Sequence, residues 1–154
     1  MSAVTTLALT LTGGPQGCGT QRWSPSFLKD SGSAVARITS SDFRATLQKV
    51  VELMDEEDDD DRPTLYAHQR ASKILKDTAE IIGMRFPKAL ATTGPSQGVR
   101  LLWQSGGCEV RLVVGGSVTN KSYIYWRDDL RSGVSHETNP ELLAVYLCRM
   151  GNSI

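Results

Sequence analysis

Apolar and polar residues alternate along residues 98–114 more regularly than anywhere else in the chain. A period of two is typical of β-strands with one buried face. The apolar series consists of Val99, Leu101 and Trp103, then, after Gly106 and Gly107, of Cys108, Val110, Leu112 and Val114. The alternate positions hold Arg100, Gln104, Glu109 and Arg111. Connections of two and of four residues keep the same side chains on the apolar face, because the two registers differ by an even step. The pattern predicts a β-hairpin.

Two neighbouring segments extend this hairpin. Residues 88–92 are predicted as a strand that ends at a turn over Gly94 and Pro95. Residues 123–126 are predicted as another strand, after a loop over 115–120. The sequence therefore predicts a small antiparallel β-meander of three to four strands.

The N-terminal part has weaker patterns. Residues 4–11 alternate small or polar residues with leucine, which predicts a strand. Residues 13–34 are rich in Gly, Ser and Pro and predict a long loop, followed by a short strand over 34–38. If the two strands do not pair, the first 38 residues are expected to form a mobile arm.

A first amphipathic helix is predicted after a cap at Ser40 or Ser41. Its apolar face consists of Phe43, Leu47, Val50, Val51 and Met54. Seven consecutive acids follow over residues 55–61, here called the acidic run. They repel one another and lie at the negative end of the helix dipole, so we expect them to end the helix and to form a linker.

Two more helices are predicted in the C-terminal part. One begins near residues 61–64, with Pro63 in its first turn, and ends at Gly83. Its inner face consists of Ala67, Ala71, Ile74, Leu75, Thr78, Ile81 and Ile82. The other begins at Asn139 and Pro140 and ends at Gly151. Its inner face consists of Leu142, Leu143, Tyr146, Leu147 and Met150.

These elements predict an α+β protein in which two or three helices cover one face of the meander. The expected organisation is an N-terminal segment over 1–54, the acidic run as a linker over 55–61, and an α-β-β-β-α domain over 62–154. The length of 154 residues by itself suits one domain.

Composition narrows the class of protein. Lys plus Arg and Asp plus Glu both number 17, so no basic excess points to nucleic acid or to an anionic membrane. No basic residue precedes Arg22, and no apolar run is long enough to span a bilayer. Cys18, Cys108 and Cys148 form an odd, widely spaced set, which fits reduced thiols better than a disulfide framework. We therefore expect a cytoplasmic protein without a membrane segment.

The strand Gly98-Val99-Arg100-Leu101-Leu102-Trp103 and the segment Tyr123-Ile124-Tyr125, preceded by an acidic stretch and a helix, resemble a loose group of small uncharacterised bacterial proteins. The resemblance covers about half of the chain. Members of that group are often encoded near toxin-antitoxin or defence genes, so the resemblance implies an accessory or antitoxin-like binding role. The group often has Trp-Asp-Gly before the helix and Asp-Gly-Gly before the central strand, where this chain has Asp-Glu-Glu and Ser-Gln-Gly.

Candidate catalytic and metal-binding residues are sparse. The acidic run offers hard oxygen ligands, or an imitation of nucleic-acid phosphates, but it lacks the spacing of a calcium loop. His68 and His136 have no metal-ligand spacing. A Cys-His pair requires Cys108 or Cys148, which are both expected to be buried and inert, whereas Cys18 lies in a Gly-rich loop. That loop, 13–19, lacks the spacing of a phosphate-binding motif. We predict no catalytic residue, no cofactor and no metal.

Aromatic and basic residues on the strands are the remaining candidates. Tyr123 and Tyr125 are expected on the face opposite Trp126, and Trp103 on the buried face, so at most part of this set is available to a ligand. The predicted partner-binding residues are Arg100, Arg111, Tyr123, Tyr125, Trp126 and Arg127. The leading hypothesis is a non-enzymatic module that binds another protein, and a homo-oligomer is a further hypothesis. The alternative is a nucleic-acid-linked protein, either through the Arg and aromatic face or as an acidic DNA mimic.

Overall fold

The structure, a computed structural model, describes residues 40–152. Within this range it contains three α-helices and one antiparallel sheet of five strands in the order β1-β2-β3-β4-β5. The helices are α1 (Ser41–Glu52), α2 (Leu65–Ile82) and α3 (Pro140–Gly151). The strands are β1 (Leu90–Gly94), β2 (Gly98–Ser105), β3 (Cys108–Val114), β4 (Tyr123–Arg127) and β5 (Ser132–Ser135). The predicted strands over 4–11 and 34–38 and the loop over 13–34 lie outside the described residues.

The α+β class and the meander are confirmed, but the predicted number of three to four strands is too low. The additional strand is β5, which has only four residues, two of them serine and one glycine. Such a segment has no alternating apolar pattern, and only its pairing with β4 defines it. The end of the sheet is thus extended by a strand that sequence periodicity does not mark.

The central hairpin forms with the shorter of the two expected loops. Ser105 pairs with Cys108 across a loop of two residues, Gly106 and Gly107, whose φ angles are 54° and 84°. Positive φ at both loop residues matches the right-handed twist of the strands and favours glycine. Leu101 therefore faces Leu112, and the apolar series of both strands points to the same side of the sheet.

All three helices pack on that side and share one core with it. The core cluster contains Phe43 and Val50 of α1, Leu75 of α2, Leu143 of α3 and the fully buried Trp103 of β2. The proposed boundary at residues 55–61 therefore does not separate two cores, because α1 buries its apolar face against the C-terminal elements. No helix of the described part is long and apolar enough to cross a membrane.

The helix caps agree with the sequence, except at the start of α2. The hydroxyl of Ser40 accepts a hydrogen bond from the amide of Phe43 at 3.0 Å, and Asn139 Oδ1 accepts one from Leu142 at 2.7 Å. Helix α2, however, is capped by Thr64, so Pro63 precedes the helix instead of occupying its first turn. The core positions of α1 differ from the predicted apolar face at two residues, since Val51 is 43% exposed whereas Thr46 is fully buried. The hydroxyl of Thr46 donates to the carbonyl of Asp42 and accepts a hydrogen bond from the amide of Ala89. A polar residue with satisfied hydrogen bonds thus takes a core position that an apolar periodicity cannot identify.

The identical change at two adjacent residues of β2 tests which face of the sheet is buried. Leu101→Ala should lower the free energy of unfolding by about 2–5 kcal/mol, because it leaves a cavity in a packed core. Leu102→Ala, on the other face, should lower it by about 1 kcal/mol or less. Urea unfolding followed by circular dichroism measures both values. Equal losses would contradict the assignment of faces.

The β4–β5 turn gives a pH-dependent prediction. Hydrogen bonds from the amides of Leu130 and Arg131 hold the pKa of the Asp128 carboxyl below its ordinary value. Because the folded pKa is the lower one, this stabilisation is present above the ordinary aspartate pKa and is lost as the pH falls through the folded value. A carbon-13 NMR titration of the carboxyl should give a midpoint below about 3.9, the value for free aspartate. A midpoint at or above that value would show that the turn does not hold the carboxylate.

Candidate functional site

The sheet surface opposite the helices, here called the open face, carries side chains from all five strands. Strand pairing places Leu90, Leu102, Arg111, Tyr125 and Val134 in one row straight across it. Leu90 is 62% exposed and Val134 is 54% exposed. The two ends of this row are therefore apolar and accessible, with an arginine at the centre.

Three arginines form a diagonal line over the same face. Arg100 of β2 lies opposite Val113, two residues beyond Arg111 on β3. Arg127 of β4 lies opposite Glu109, two residues before Arg111. Diagonal neighbours on adjacent strands are about 7–8 Å apart, within reach of long side chains. The register thus concentrates positive charge on three adjacent strands of a chain with no net charge.

Glu109 lies two residues before Arg111 on β3 and opposite Arg127 on β4. Its side chain is almost fully buried, and the residue is 6% exposed. Its Oε1 accepts a hydrogen bond from Arg111 Nη2 at 2.5 Å, and its Oε2 lies 3.5 Å from Arg127 Nη2. Both carboxylate oxygens are therefore occupied by guanidinium groups. One negative charge between three positive ones leaves the arginine line with an excess of two positive charges.

Two guanidinium nitrogens on the open face have unused hydrogen-bonding capacity. The Nε atoms of Arg100 and Arg111 are buried, and neither has a hydrogen-bond partner among the described residues. The guanidinium carbon of Arg111 lies 5.5 Å from the centre of the Tyr125 ring, which fixes it by a cation–π contact. These nitrogens have no accessible surface, so a ligand would meet the exposed remainder of the guanidinium groups; the Arg111 side chain keeps 36% exposure.

The structure brings together five of the six predicted partner-binding residues. Arg100, Arg111, Tyr123, Tyr125 and Arg127 share the open face. Trp126 alternates to the other side, opposite Val110, as the period of two requires. There its ring stacks on Tyr146 of α3, with 5.6 Å between the ring centres and 20° between the planes. Trp126 therefore does not belong to the surface formed by the other five.

Sequence reasoning missed the apolar part of the open face. Leu90 lies at the edge of a strand predicted two residues too early, and Val134 lies on the strand that was not predicted. Leu102 and Val113 interrupt the alternation because they are apolar on the polar side. Leu102 and Val113 could be recognised in the sequence as exceptions to the alternation. Their place in an apolar surface follows only from the pairing of the hairpin with the other strands.

The acidic run connects α1 to α2, and two hydrogen bonds join its backbone to the end of the sheet. Gln97 Nε2 donates to the carbonyl of Asp59 at 2.7 Å, and the hydroxyl of Thr93 donates to the carbonyl of Asp61. The carboxylates themselves remain exposed, and Arg62 pairs with Asp59 at 3.2 Å. The backbone of the run is thus held in place while its charges face solvent.

The predicted histidine and cysteine chemistry is not assembled in the described part. No group of three or more His, Cys, Asp or Glu residues that could hold a metal ion is present there. His68 lines a groove of about 420 Å³ between α1 and α2, whereas His136 is exposed. Cys108 is a buried free thiol. Cys148 is disulfide-bonded, so the expectation of reduced thiols is wrong at this residue. Cys18 and the loop over 13–19 lie outside the described residues.

Removal of the Glu109 charge tests the arginine line. Glu109→Gln should lower the free energy of unfolding by about 1–3 kcal/mol, because charge-assisted bonds to two arginines are lost from a buried group. The same change at exposed Glu80 of α2 should alter it by about 0.5 kcal/mol or less. Urea unfolding at neutral pH measures the difference. If both variants unfold alike, the carboxylate does not hold the arginines together.

Comparison with known proteins provides no relative for this chain. No family model, no curated protein and no solved structure matches it. The resemblance to small bacterial proteins is therefore still an expectation.

Proposed function

We propose that this chain is a non-enzymatic module that binds another protein through the open face of its sheet. The observation that carries the proposal is the diagonal of Arg100, Arg111 and Arg127 on a sheet face whose edge strands expose Leu90 and Val134. Arginine and tyrosine are enriched at the centres of protein interfaces. A partner that covers the face would supply acceptors to the arginines and bury Leu90 and Val134.

The chemistry of the open face favours binding over catalysis. Its side chains are guanidinium, phenol and aliphatic groups, together with one carboxylate. Both oxygens of that carboxylate, on Glu109, are occupied by Arg111 and Arg127 and so are not placed to accept a proton from a substrate. The face is also an extended sheet surface, which suits a macromolecule better than a small substrate.

A more specific version follows from the resemblance noted above. In it the chain acts as an antitoxin-like protein or as an accessory protein of a defence system. An antitoxin must occlude a surface of its toxin, and a preformed sheet face can do so without an ordering cost.

A second candidate function is direct binding of single-stranded nucleic acid. It is favoured by the diagonal of Arg100, Arg111 and Arg127 beside Tyr123 and Tyr125, since basic grooves with stacking rings bind such strands. Glu109 opposes it, because a buried carboxylate between two arginines weakens the attraction to phosphates. Salt dependence separates the two candidates, since phosphate contacts weaken steeply with added salt.

The proposal is tested with the tagged chain purified from its own host, washed at low and at high salt. We expect one stoichiometric protein that survives the high-salt wash. Arg100→Ser and Tyr125→Ser should each reduce its recovery roughly tenfold or more, as for residues at the centre of an interface. Arg44→Ser, an exposed change on the helix side, serves as the matched control.

The captured protein is then titrated against each purified variant by calorimetry. A partner that binds both open-face variants as tightly as the wild type would contradict the proposal. Nucleic acid that is released by salt and depends on Arg100 would favour the second candidate instead.

A further inference from the structure

We infer that the open face also binds the acidic run of a second copy of this chain. This goes beyond the proposed function, which concerns a different protein, and gives the chain a means to cover its own interface when that partner is absent. The basis is charge complementarity between two separate surfaces of one molecule. The chain is neutral overall because 17 basic and 17 acidic residues balance, and these two surfaces concentrate opposite signs.

The acidic run is suited to be the inserted segment. All seven of its residues are exposed, and among the described residues only Asp59 forms an ion pair, with Arg62. Hydrogen bonds from Thr93 and Gln97 already hold the backbone of the run. Little further ordering is therefore required for binding, which favours association.

The open face is suited to receive carboxylates. Arg100 has no ion pair among the described residues, and its buried Nε lacks an acceptor there. Arg111 directs Nη2 to Glu109 but leaves its own Nε without a partner in the same range. Guanidinium groups bind carboxylates through two parallel hydrogen bonds, which are stronger than neutral ones. A dense row of carboxylates matches this requirement.

The run is not paired with the open face of its own molecule in the described part of the chain. It is held through Thr93, which lies opposite Val99 and so has its side chain on the helix side of the sheet. No ion pair joins the run to Arg100, Arg111 or Arg127 within the described residues. A second copy would bring the two surfaces together without a change in this fold.

Self-association of the full chain is measured by sedimentation velocity at about 50 mM and about 500 mM salt. The distance over which charges attract one another is several-fold shorter at the higher concentration. We expect oligomers at low salt and monomers at high salt. Arg100→Gln and the triple variant Glu57→Gln, Asp58→Asn, Asp60→Asn should each weaken association roughly tenfold or more. Arg44→Gln and Glu80→Gln, which remove exposed charges elsewhere, should leave it unchanged.

Mixing the two weakened variants provides the decisive measurement. Arg100→Gln retains an intact acidic run, and the triple variant retains an intact open face, so the mixture should form a mixed complex that neither variant forms alone. A synthetic peptide of residues 53–62 should dissociate wild-type oligomers, whereas the peptide with amides in place of the acids should not. The peptide test holds even if Arg100→Gln impairs folding.

A wild-type monomer at low salt and high concentration would overturn the inference, and so would oligomers that persist in high salt or in both variants. Failure of the mixture to associate would overturn it as well. None of these outcomes affects the capture of a different protein by the open face. The inference and the proposed function can therefore fail independently.

Discussion

The packing of Trp103 against the helix layer is the interaction on which the rest of the described structure depends. Its ring is fully buried, and its Nε1 donates to the carbonyl of Pro87 at 3.0 Å. It meets the ring of Phe86 edge-on at 6.2 Å, and Phe86 in turn meets Phe43 of α1 at 5.4 Å. This chain of rings joins the centre of the sheet to the connection after α2 and to α1. It explains why α1 belongs to the same core despite the acidic run that follows it.

Fixing one face of the hairpin also fixes the other. A shift of one residue would carry Trp103 to the open face and the arginines into the core, at a large cost in free energy. The register that buries Trp103 therefore places Arg100 and Arg111 in diagonal positions on the opposite surface. The arrangement of the candidate interface is thus a consequence of core packing.

The electrostatics of the open face follow from burial of Glu109 between two arginines. Removing a carboxylate from water is unfavourable unless it is paired, and here Arg111 and Arg127 supply the pairing. The same contacts hold Arg111 over the ring of Tyr125. Arg100 has no such compensation within the described residues, and this imbalance is the reason to expect an external acceptor.

The sequence by itself determined the hairpin, the face of its apolar series, three helices and the cap at Asn139, because each depends on local periodicity or on one capping side chain. It left the hairpin loop at two or four residues and the first cap at Ser40 or Ser41. It also separated Tyr125 from Trp126 by alternation alone. Only the tertiary structure decided that β5 completes the sheet, that Thr46 is a core residue and that the acidic run is held against Thr93 and Gln97. The diagonal of arginines belongs to this second group. It requires the pairing of β4 with β3, which brings Arg127 opposite Glu109, and no local pattern contains that register.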